Sequence, residues 1–463
     1  MKITHVRSRS AFLNDRLDAH FFTSPGVAAS EKISLLEASG KRVVSLESIA
    51  TVWDPPRFAR AYAAPEEDGV PYLRPYDVFD FTPVPKDRLS RERNRDVARL
   101  VPAEGTILQT CSGRNLGPVA YADSYISNFA LSHDMIRINV DDVQTRFYVL
   151  AYLKTPTGQA LIRRGKSGSV IDHVTTGDIS SVPIAFIEDP WREKVSGLVR
   201  DSVKAADLAR SSMLSLFSEV DSMFPIAESE SSGFKHWTSS SRDLDNRLDA
   251  AFHHPSVRKA RKAALSDRSV RCGDIARAVL PVRYKRYYVS GANGRPILSG
   301  RQLLQLDPIN LRRVADRSFK EASVYELEEG MTIFGAVGRS EGRQGSASLV
   351  TRGRSGWLAS NDVMRIVPRA GVSPGAVWLA IAARQTRIQI NALSFGSVID
   401  HLNPWDVEDI RIPRISEDLA KRAEDAWELF TRSRELMDEA VAMVESHLSH
   451  GFPDQEIPVQ RAG

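Results

Sequence analysis

Gly168-Ser169-Val170-Ile171-Asp172-His173 returns letter for letter as Gly396-Ser397-Val398-Ile399-Asp400-His401, and Arg16-Leu17-Asp18-Ala19 returns as Arg247-Leu248-Asp249-Ala250. The offsets, 228 and 231 residues, are about half of the 463-residue chain. Solenoid repeats run roughly 20 to 50 residues, so a period this long marks a duplicated domain. The length itself exceeds what one hydrophobic core usually supports. A duplication with pseudo-symmetry predicts a protein that reads a two-part target.

Working outward, each half carries the same string of parts. Arg57-Phe58-Ala59-Arg60-Ala61-Tyr62 is matched by Arg283-Tyr284-Lys285-Arg286-Tyr287-Tyr288, and Gly69-Val70-Pro71-Tyr72-Leu73 by Gly294-Arg295-Pro296-Ile297-Leu298. Glu104-Gly105-Thr106-Ile107-Leu108, leading to Ser112-Gly113-Arg114, is matched by Glu329-Gly330-Met331-Thr332-Ile333-Phe334, leading to Val337-Gly338-Arg339. Short apolar strands punctuated by Gly turns, with helical stretches over 147–164 and 375–393, predict a mixed α+β domain in each half. The repeated hexapeptides read as a turn at Gly-Ser, a buried element at Val-Ile and then a helix start at Asp-His, where Asp favours the positive end of the helix.

Both halves close in a seven-residue rhythm. Val195, Val199, Ser202, Ala206, Ala209, Met213, Leu216, Val220 and Met223 step 4, 3, 4, 3, as do Leu419, Ala423, Ala426, Phe430, Ser433, Met437, Ala440, Val444 and His447. That spacing lays one stripe along one helix face, the coiled-coil pattern, and its Ala content predicts a close-packed seam. Such a helix of ~34 residues is a rod about 50 Å long. Two such rods at equivalent places most simply pair with each other, antiparallel. A stretch rich in Ser and Glu, 228–241, reads as the linker between halves.

Composition adds bounds. The net charge is +4 and the pI near 8.9, mildly basic and by itself a weak pointer to nucleic acid. Cys111 and Cys272 stand in no metal-ligand spacing, which points to a reducing cytosol and away from zinc or a disulfide framework. No apolar run approaches the ~20 residues of a membrane span, and the start of the chain lacks a signal peptide's apolar stretch. A cytoplasmic location without membrane contact is expected.

Catalytic motifs do not emerge. There is no Gly-x-x-x-x-Gly-Lys-Ser/Thr loop and no glycine-rich dinucleotide turn with its acidic residue. Asp54-Pro55-Pro56-Arg57 lacks the aromatic fourth residue with which adenine methyltransferases stack a flipped base. His20, His173, His253, His254 and His401 show no metal-site spacing. No catalytic residue, metal or cofactor is assigned to this chain.

Together these landmarks resemble the specificity (S) subunits of type I restriction-modification systems. Arg16-Leu17-Asp18-Ala19-His20-Phe21-Phe22 looks like that family's opening motif, and Gly105 to Gly117 like its strand–turn segment. The stretches 168–184 and 396–413 look like the segment before its long helix. The resemblance covers nearly the whole chain. It implies an α+β fold of two tandem target-recognition domains separated by an antiparallel pair of long coiled-coil helices. The expected divisions are target-recognition domains at 1–187 and 242–414, spacer helices at 188–226 and 415–449, a linker at 227–241 and a tail at 450–463. It further implies a non-catalytic subunit that reads an asymmetric bipartite site on double-stranded DNA. Two methyltransferase (M) subunits would dock on it, with S-adenosylmethionine in those subunits, and restriction (R) subunits could join. The helix entries, Pro183 to Glu188 and Pro413 to Glu417, and the pair Phe252-His253 depart from the family pattern. A scaffold of a related phage-defence assembly that recognises protein is the alternative.

Arg and Lys neutralise phosphates, and Arg, Asn and Gln read base edges in the major groove. The expected DNA-binding residues are Arg57, Arg60, Arg74, Arg114, Arg163, Arg164 and Lys166 in the first half. In the second they are Arg283, Lys285, Arg286, Arg339, Arg343, Arg352 and Arg354. The expected helix seam is Val195, Val199, Ala206, Met213, Leu216, Val220, Leu419, Ala423, Ala426, Phe430, Met437 and Val444. Different tips on one framework (Tyr72-Leu73-Arg74-Pro75 against Ile297-Leu298-Ser299-Gly300) predict two different half-sites.

Overall fold

The computed structural model describes residues 22, 24–113, 116–165, 172–226, 236–244, 247–290, 293–318, 322–338, 346–396 and 400–449. Two compact units emerge, one holding the chain through Asp207 together with the stretch from Arg432, the other Leu208–Thr431.

The first unit opens with α1 (Pro25–Ala38), which Pro25 enters at a position where its missing N–H costs nothing. Strands β1 (Val43–Ser45), β2 (Thr51–Trp53), β3 (Gly69–Leu73), β4 (Asp87–Ser90), β5 (Ile107–Thr110), β6 (Val119–Tyr121), β7 (Ala130–Leu131) and β8 (Met135–Asn139) follow. Then come α2 (Val143–Lys154), α3 (Pro156–Arg164), α4 (Thr176–Ser180) and β9 (Pro183–Ala185). Three sheets result: β2-β8-β5-β6, β4-β3-β7 and the pair β1-β9. The core gathers Ile107, Ile136, Ile138, Tyr148, Leu150 and Ile184 under the first of them.

The second unit repeats this plan. It holds α6 (Pro255–Ala264), β10 (Ser269–Arg271), α7 (Cys272–Ile275), β11 (Ala276–Val279), β12 (Tyr288–Val289), β13 (Arg295–Leu298) and β14 (Arg312–Val314). Strands β15 (Thr332–Gly335), β16 (Val337–Gly338), β17 (Ser348–Leu349), β18 (Leu358–Ala359) and β19 (Val363–Pro368) follow, then α8 (Pro374–Ala382), α9 (Arg384–Ala392), β20 (Asp400–His401), α10 (Pro404–Asp409) and β21 (Arg411–Pro413). The sheet β11-β19-β15-β17 answers to β2-β8-β5-β6, and β10-β21 to β1-β9. In β13, Ile297 and Leu298 pair in parallel with Leu358 and Ala359, as Tyr72 and Leu73 of β3 pair with Ala130 and Leu131.

The Glu-Gly turn behaves alike in both copies. Gly105 and Gly330 stand at φ +92° and +89°, the left-handed region that a side chain resists. A Cβ on Gly105 would lie 2.4 Å from Arg146 Nη1. The turn drops the chain into fully buried strands, Ile107 and Leu108 in one unit and Ile333 and Phe334 in the other.

Two expectations change. The helical stretches are each broken: Thr155 and Ala383 take extended conformations between α2 and α3 and between α8 and α9. Thr155 precedes Pro156, which disfavours helical backbone at the residue before it. The Asp-His of the repeated hexapeptide does not start a helix. Asp400 and His401 form β20 on Gly338 and Val337, and His173 bridges to Ser112. The helices begin later because their caps stand later. Thr175 and Asp178 close a capping box on α4, and Asn403-Pro404 opens α10. The Gly168–Ile171 and Ser397–Ile399 parts of the motif lie outside the described residues, as does Arg16–Ala19.

The long helices are α5 (Asp189–Met223) and α11 (Glu417–Ser449). Of the expected seam, Val195, Val199, Ala206, Met213, Leu216, Val220, Leu419, Ala423, Ala426, Phe430 and Val444 are buried and Met437 is half-buried. Within the first unit, Ser202 Oγ donates to the Ser433 carbonyl at 2.7 Å, and the Trp191 and His447 rings stand 5.0 Å apart, so those two segments run in opposite directions. Within the second, Arg422 Nη1 meets Glu219 Oε2 at 2.9 Å.

Candidate nucleic-acid interface

In the second unit, the aromatic and basic stretch 283–288 runs onto the outer strand of the sheet β12-β14-β13-β18. Tyr288 and Val289 pair with Val314 and Arg313. Tyr284 turns inward, 4.1 Å from the ring of Tyr325, and burial pushes its phenol up to about 12. Tyr287 and Tyr288 stay 36% and 47% exposed.

Cations sit over these rings. Lys285 Nζ and the Arg317 guanidinium each lie 5.0 Å from the Tyr287 ring, and Arg312 lies 4.8 Å from that of Tyr288. Burial raises the Tyr288 phenol, but hydrogen bonds and positive charge from Arg286 and Arg312 outweigh it and hold it below the usual tyrosine range. Arg286 is committed inward, donating to Asn361 Oδ1 at 2.5 Å. Arg313 donates to the carbonyls of Asn293 and Gly294, and Arg295 pairs with Asp316 and Glu326. The face thus offers exposed phenols and exposed Arg283, Lys285, Arg312 and Arg317 along and beside the paired strands β12 and β14. Flat rings flanked by cations can stack on bases and neutralise phosphates.

The first unit presents the corresponding sheet differently. Arg57 and Arg60 are exposed, with Arg60 5.8 Å from the ring of Tyr72. Arg74 is held by Asp87 at 2.9 Å. Beside them lies Arg88, Arg91, Arg93, Arg95 and Arg99, all exposed, on β4 and the turn after it. Arg93 donates to Glu67 and to the Tyr62 carbonyl, and this hydrogen bond, with that from Ser90, pulls Glu67 down to about 2. Five arginines within 88–99 were a readable signal that the motif reading passed over; Arg312-Arg313 was another.

Other expected residues are occupied. Arg163 Nε donates to the Leu116 carbonyl at 3.0 Å, and Arg164 Nη1 to Ser30 Oγ at 2.9 Å. Arg352 forms an ion pair with Glu428 on α11. Arg354 departs most from the expectation: it is buried and donates to the carbonyls of Leu303 and Gln305. Its charge braces a loop in place of meeting a phosphate. Arg114, Lys166, Arg339 and Arg343 lie outside the described residues.

The second Arg-x-Asp-Ala motif is structural. Arg247 grips both oxygens of Asp249 at 2.7 and 2.9 Å and donates to the Leu393 carbonyl at 3.2 Å. It therefore closes the carboxyl end of α9, where cations and carbonyl acceptors suit each other.

Sequence reasoning also missed a buried pair. Arg137 on β8 and Arg365 on β19, again 228 residues apart, are fully buried. Arg137 donates to the Leu100 carbonyl at 2.8 Å and lies 5.0 Å from the Trp53 ring. Arg365 donates to the carbonyls of Tyr325, Ala359, Ser360 and Val363. Burial lowers each guanidinium to about 10. They fasten the loops behind the aromatic faces.

Among the described residues, no group of three or more His, Cys, Asp or Glu is arranged to hold a metal ion. Burial raises both thiols, Cys111 and Cys272, to about 12. No described helix is long and apolar enough to cross a membrane.

No family model matches the chain, and no curated protein matches it. Among solved structures, the chain is similar to the type I restriction-modification S subunit from M. genitalium, at 14% identity and TM-score 0.33, covering 90% of this chain and 96% of that one. It is also similar to the HsdS subunit from Thermoanaerobacter tengcongensis, at 12% identity and TM-score 0.28, covering 89% and 97%. A third likeness, at 12% identity and TM-score 0.27, is to a chain from work on assembly and conformational transition of the type I R-M system, covering 88% and 94%. The functional reading rests on the chain's own residues.

Proposed function

We propose that this chain is a non-catalytic DNA-specificity subunit of a type I restriction-modification assembly, and that each unit reads one half of an asymmetric bipartite site. One observation carries the reading: equivalent sheets present basic, aromatic faces whose frameworks match while their exposed side chains differ. Arg283, Lys285, Arg312 and Arg317 with Tyr287 and Tyr288 would form one reading face. Arg57 and Arg60 with the 88–99 arginines would form the other. Phosphate contacts would position each face, and side chains reaching base edges would specify.

In this proposal 1–187 and 242–414 are the reading domains, and the paired stripes of α5 and α11 act as the spacer that fixes the unread interval. The outer surfaces of those helices would dock two methyltransferase subunits, which would bind S-adenosylmethionine; restriction subunits would join a cleaving assembly. Co-expression with the methyltransferase subunits of its host, followed by methylome sequencing, tests it. An adenine-methylated motif with two unlike halves and a fixed gap is expected. A symmetric or continuous motif, or none, refutes it.

A further inference from the structure

The second unit contains a cleft of about 870 Å³ along α6, lined by Arg242, Arg247, Arg258, Lys259, Arg261, Lys262 and Arg411 against two acids, Asp406 and Asp409. The helix builds it by simple partition. Val257, Ala260 and Ala264 are buried, while Arg258 and Lys262 are exposed one turn apart on the other side. At 1.5 Å per residue the two charges stand about 6 Å apart along the axis, comparable to neighbouring phosphates in one strand. Nothing in the helix itself requires this charge. Aligned on their buried residues, 231 apart like Arg16 and Arg247, Gly26-Val27-Ala28-Ala29-Ser30-Glu31-Lys32-Ile33 stands where Val257-Arg258-Lys259-Ala260-Arg261-Lys262-Ala263-Ala264 stands. The first copy forms α1 with Val27, Ala28, Ser30 and Glu31 where α6 has Arg258, Lys259, Arg261 and Lys262, and its Lys32 is buried on Glu445.

The chemistry favours phosphate over a nucleobase or an apolar ligand. The aromatic ring in the cleft, Phe252, is buried at 7% exposure against the guanidinium groups of Arg247 at 4.6 Å and Arg261 at 4.7 Å, so it offers no open face to a base. Seven basic side chains against two acids give the cleft a positive excess that suits an anion.

We propose that the α6 cleft takes the phosphate backbone of DNA without regard to sequence, a contact that the α1 copy is not built to make; this rests on the DNA-binding reading above. Each phosphate neutralised contributes about 0.9 to the slope of log K against log salt. The full-length chain is titrated against a fluorescent duplex carrying its motif and against a scrambled duplex, over a salt series. Arg258→Ala with Lys262→Ala is expected to reduce the slope by about 1.8 on both duplexes and leave their ratio unchanged. Arg258→Lys with Lys262→Arg keeps the charge and is expected to keep the slope. An unchanged slope in the alanine variant overturns the proposal, as does a loss confined to the motif duplex. Inorganic tripolyphosphate is the second probe: if the alanine variant loses tripolyphosphate binding but not DNA affinity, the cleft holds a small anion and the backbone proposal falls. A slope change with no discrimination between duplexes would sink the specificity reading while sparing the cleft.

Discussion

Removing Glu445 should loosen the first unit by a definable amount. From α11, Glu445 accepts the Thr157 backbone N–H at 3.0 Å, the Thr157 hydroxyl at 2.7 Å and the Lys32 ammonium at 3.0 Å. It thereby serves the open amino end of α3, the place where a helix welcomes a carboxylate. Lys32 is 9% exposed, so Glu445→Ala strands a buried ammonium with only the Thr157 and Ser449 hydroxyls. Breaking a buried pair costs about 3–5 kcal/mol. Because Glu445 keeps partial access to water, about 2–3 kcal/mol is the fitting figure. In a unit of this size each kcal/mol moves the melting temperature by about 2–4 °C, so the first transition should fall by roughly 5–10 °C in calorimetry. Amide exchange at Thr157 should quicken in parallel. Glu445→Gln keeps an acceptor and should lose about half as much. The pH dependence follows from the sign of the shift. Burial pushes the Glu445 carboxyl up, but the Thr157 hydrogen bonds and Lys32 outweigh it and hold it below its ordinary value. Its contribution is then fully present above the unfolded carboxylate range, about 4.3, and is lost as pH falls through the lower folded value. The gap between the native chain and Glu445→Gln should be constant near neutrality and close below about pH 4. A melting temperature for Glu445→Ala within a degree or so of the native chain refutes this account of how α11 holds α3.

Arg354→Ala should destabilise the second unit by about 2–4 kcal/mol in denaturant unfolding, since two buried carbonyls lose a charged donor, whereas Arg352→Ala, an exposed ion pair, should change stability by less than about 1 kcal/mol. Arg312→Ala should raise the Tyr288 phenol in an ultraviolet pH titration, because a cation that favours the phenolate is gone, and should lower the salt slope of DNA binding by about 0.9; no movement of the phenol would place Arg312 elsewhere in solution. Gly330→Ala should cost about 1–2 kcal/mol by forcing a side chain into left-handed backbone, with the DNA half-sites unaltered in methylome sequencing.

Much of the fold was readable because the chain states it twice. Gly105 and Gly330 mark the same strand entry, and a motif matched at both places leaves little freedom in the order of β-elements. What escaped reading depends on contacts distant in sequence. Asp400-His401 looks like the start of a helix until Val337 and Gly338 are found beside it. Arg137, set between Ile136 and Ile138, has the alternation of a strand with one wet face. Its burial is decided by the loop at Leu100 and the ring of Trp53, both remote in the chain. For the site, aromatic and basic composition located 283–288, but not which rings face water. That is fixed by the pairing of β12 with β14, which also brings Arg312 and Arg317 to Tyr288 and Tyr287.

The sharpest separation between letter and role falls on α1 and α6, whose buried faces stand 231 residues apart, Gly26, Ala29 and Ile33 against Val257, Ala260 and Ala264. The heptad stripes set Glu445 and Asp221 at equivalent positions too, 224 residues apart like Leu419 and Val195. In the first unit the rod carboxylate takes Lys32 and the amino end of α3. In the second, Asp221 lies against Arg384 and Arg387, with burial raising its carboxyl and those cations and the Arg384 backbone N–H acting the other way. The carboxylate of the rod is met there from α9. Lys32 of α1 is held on the rod carboxylate, whereas α6 turns its basic side chains toward the cleft. Two units with one framework thus meet the rod carboxylate from different helices, α1 and α3 in the first and α9 in the second.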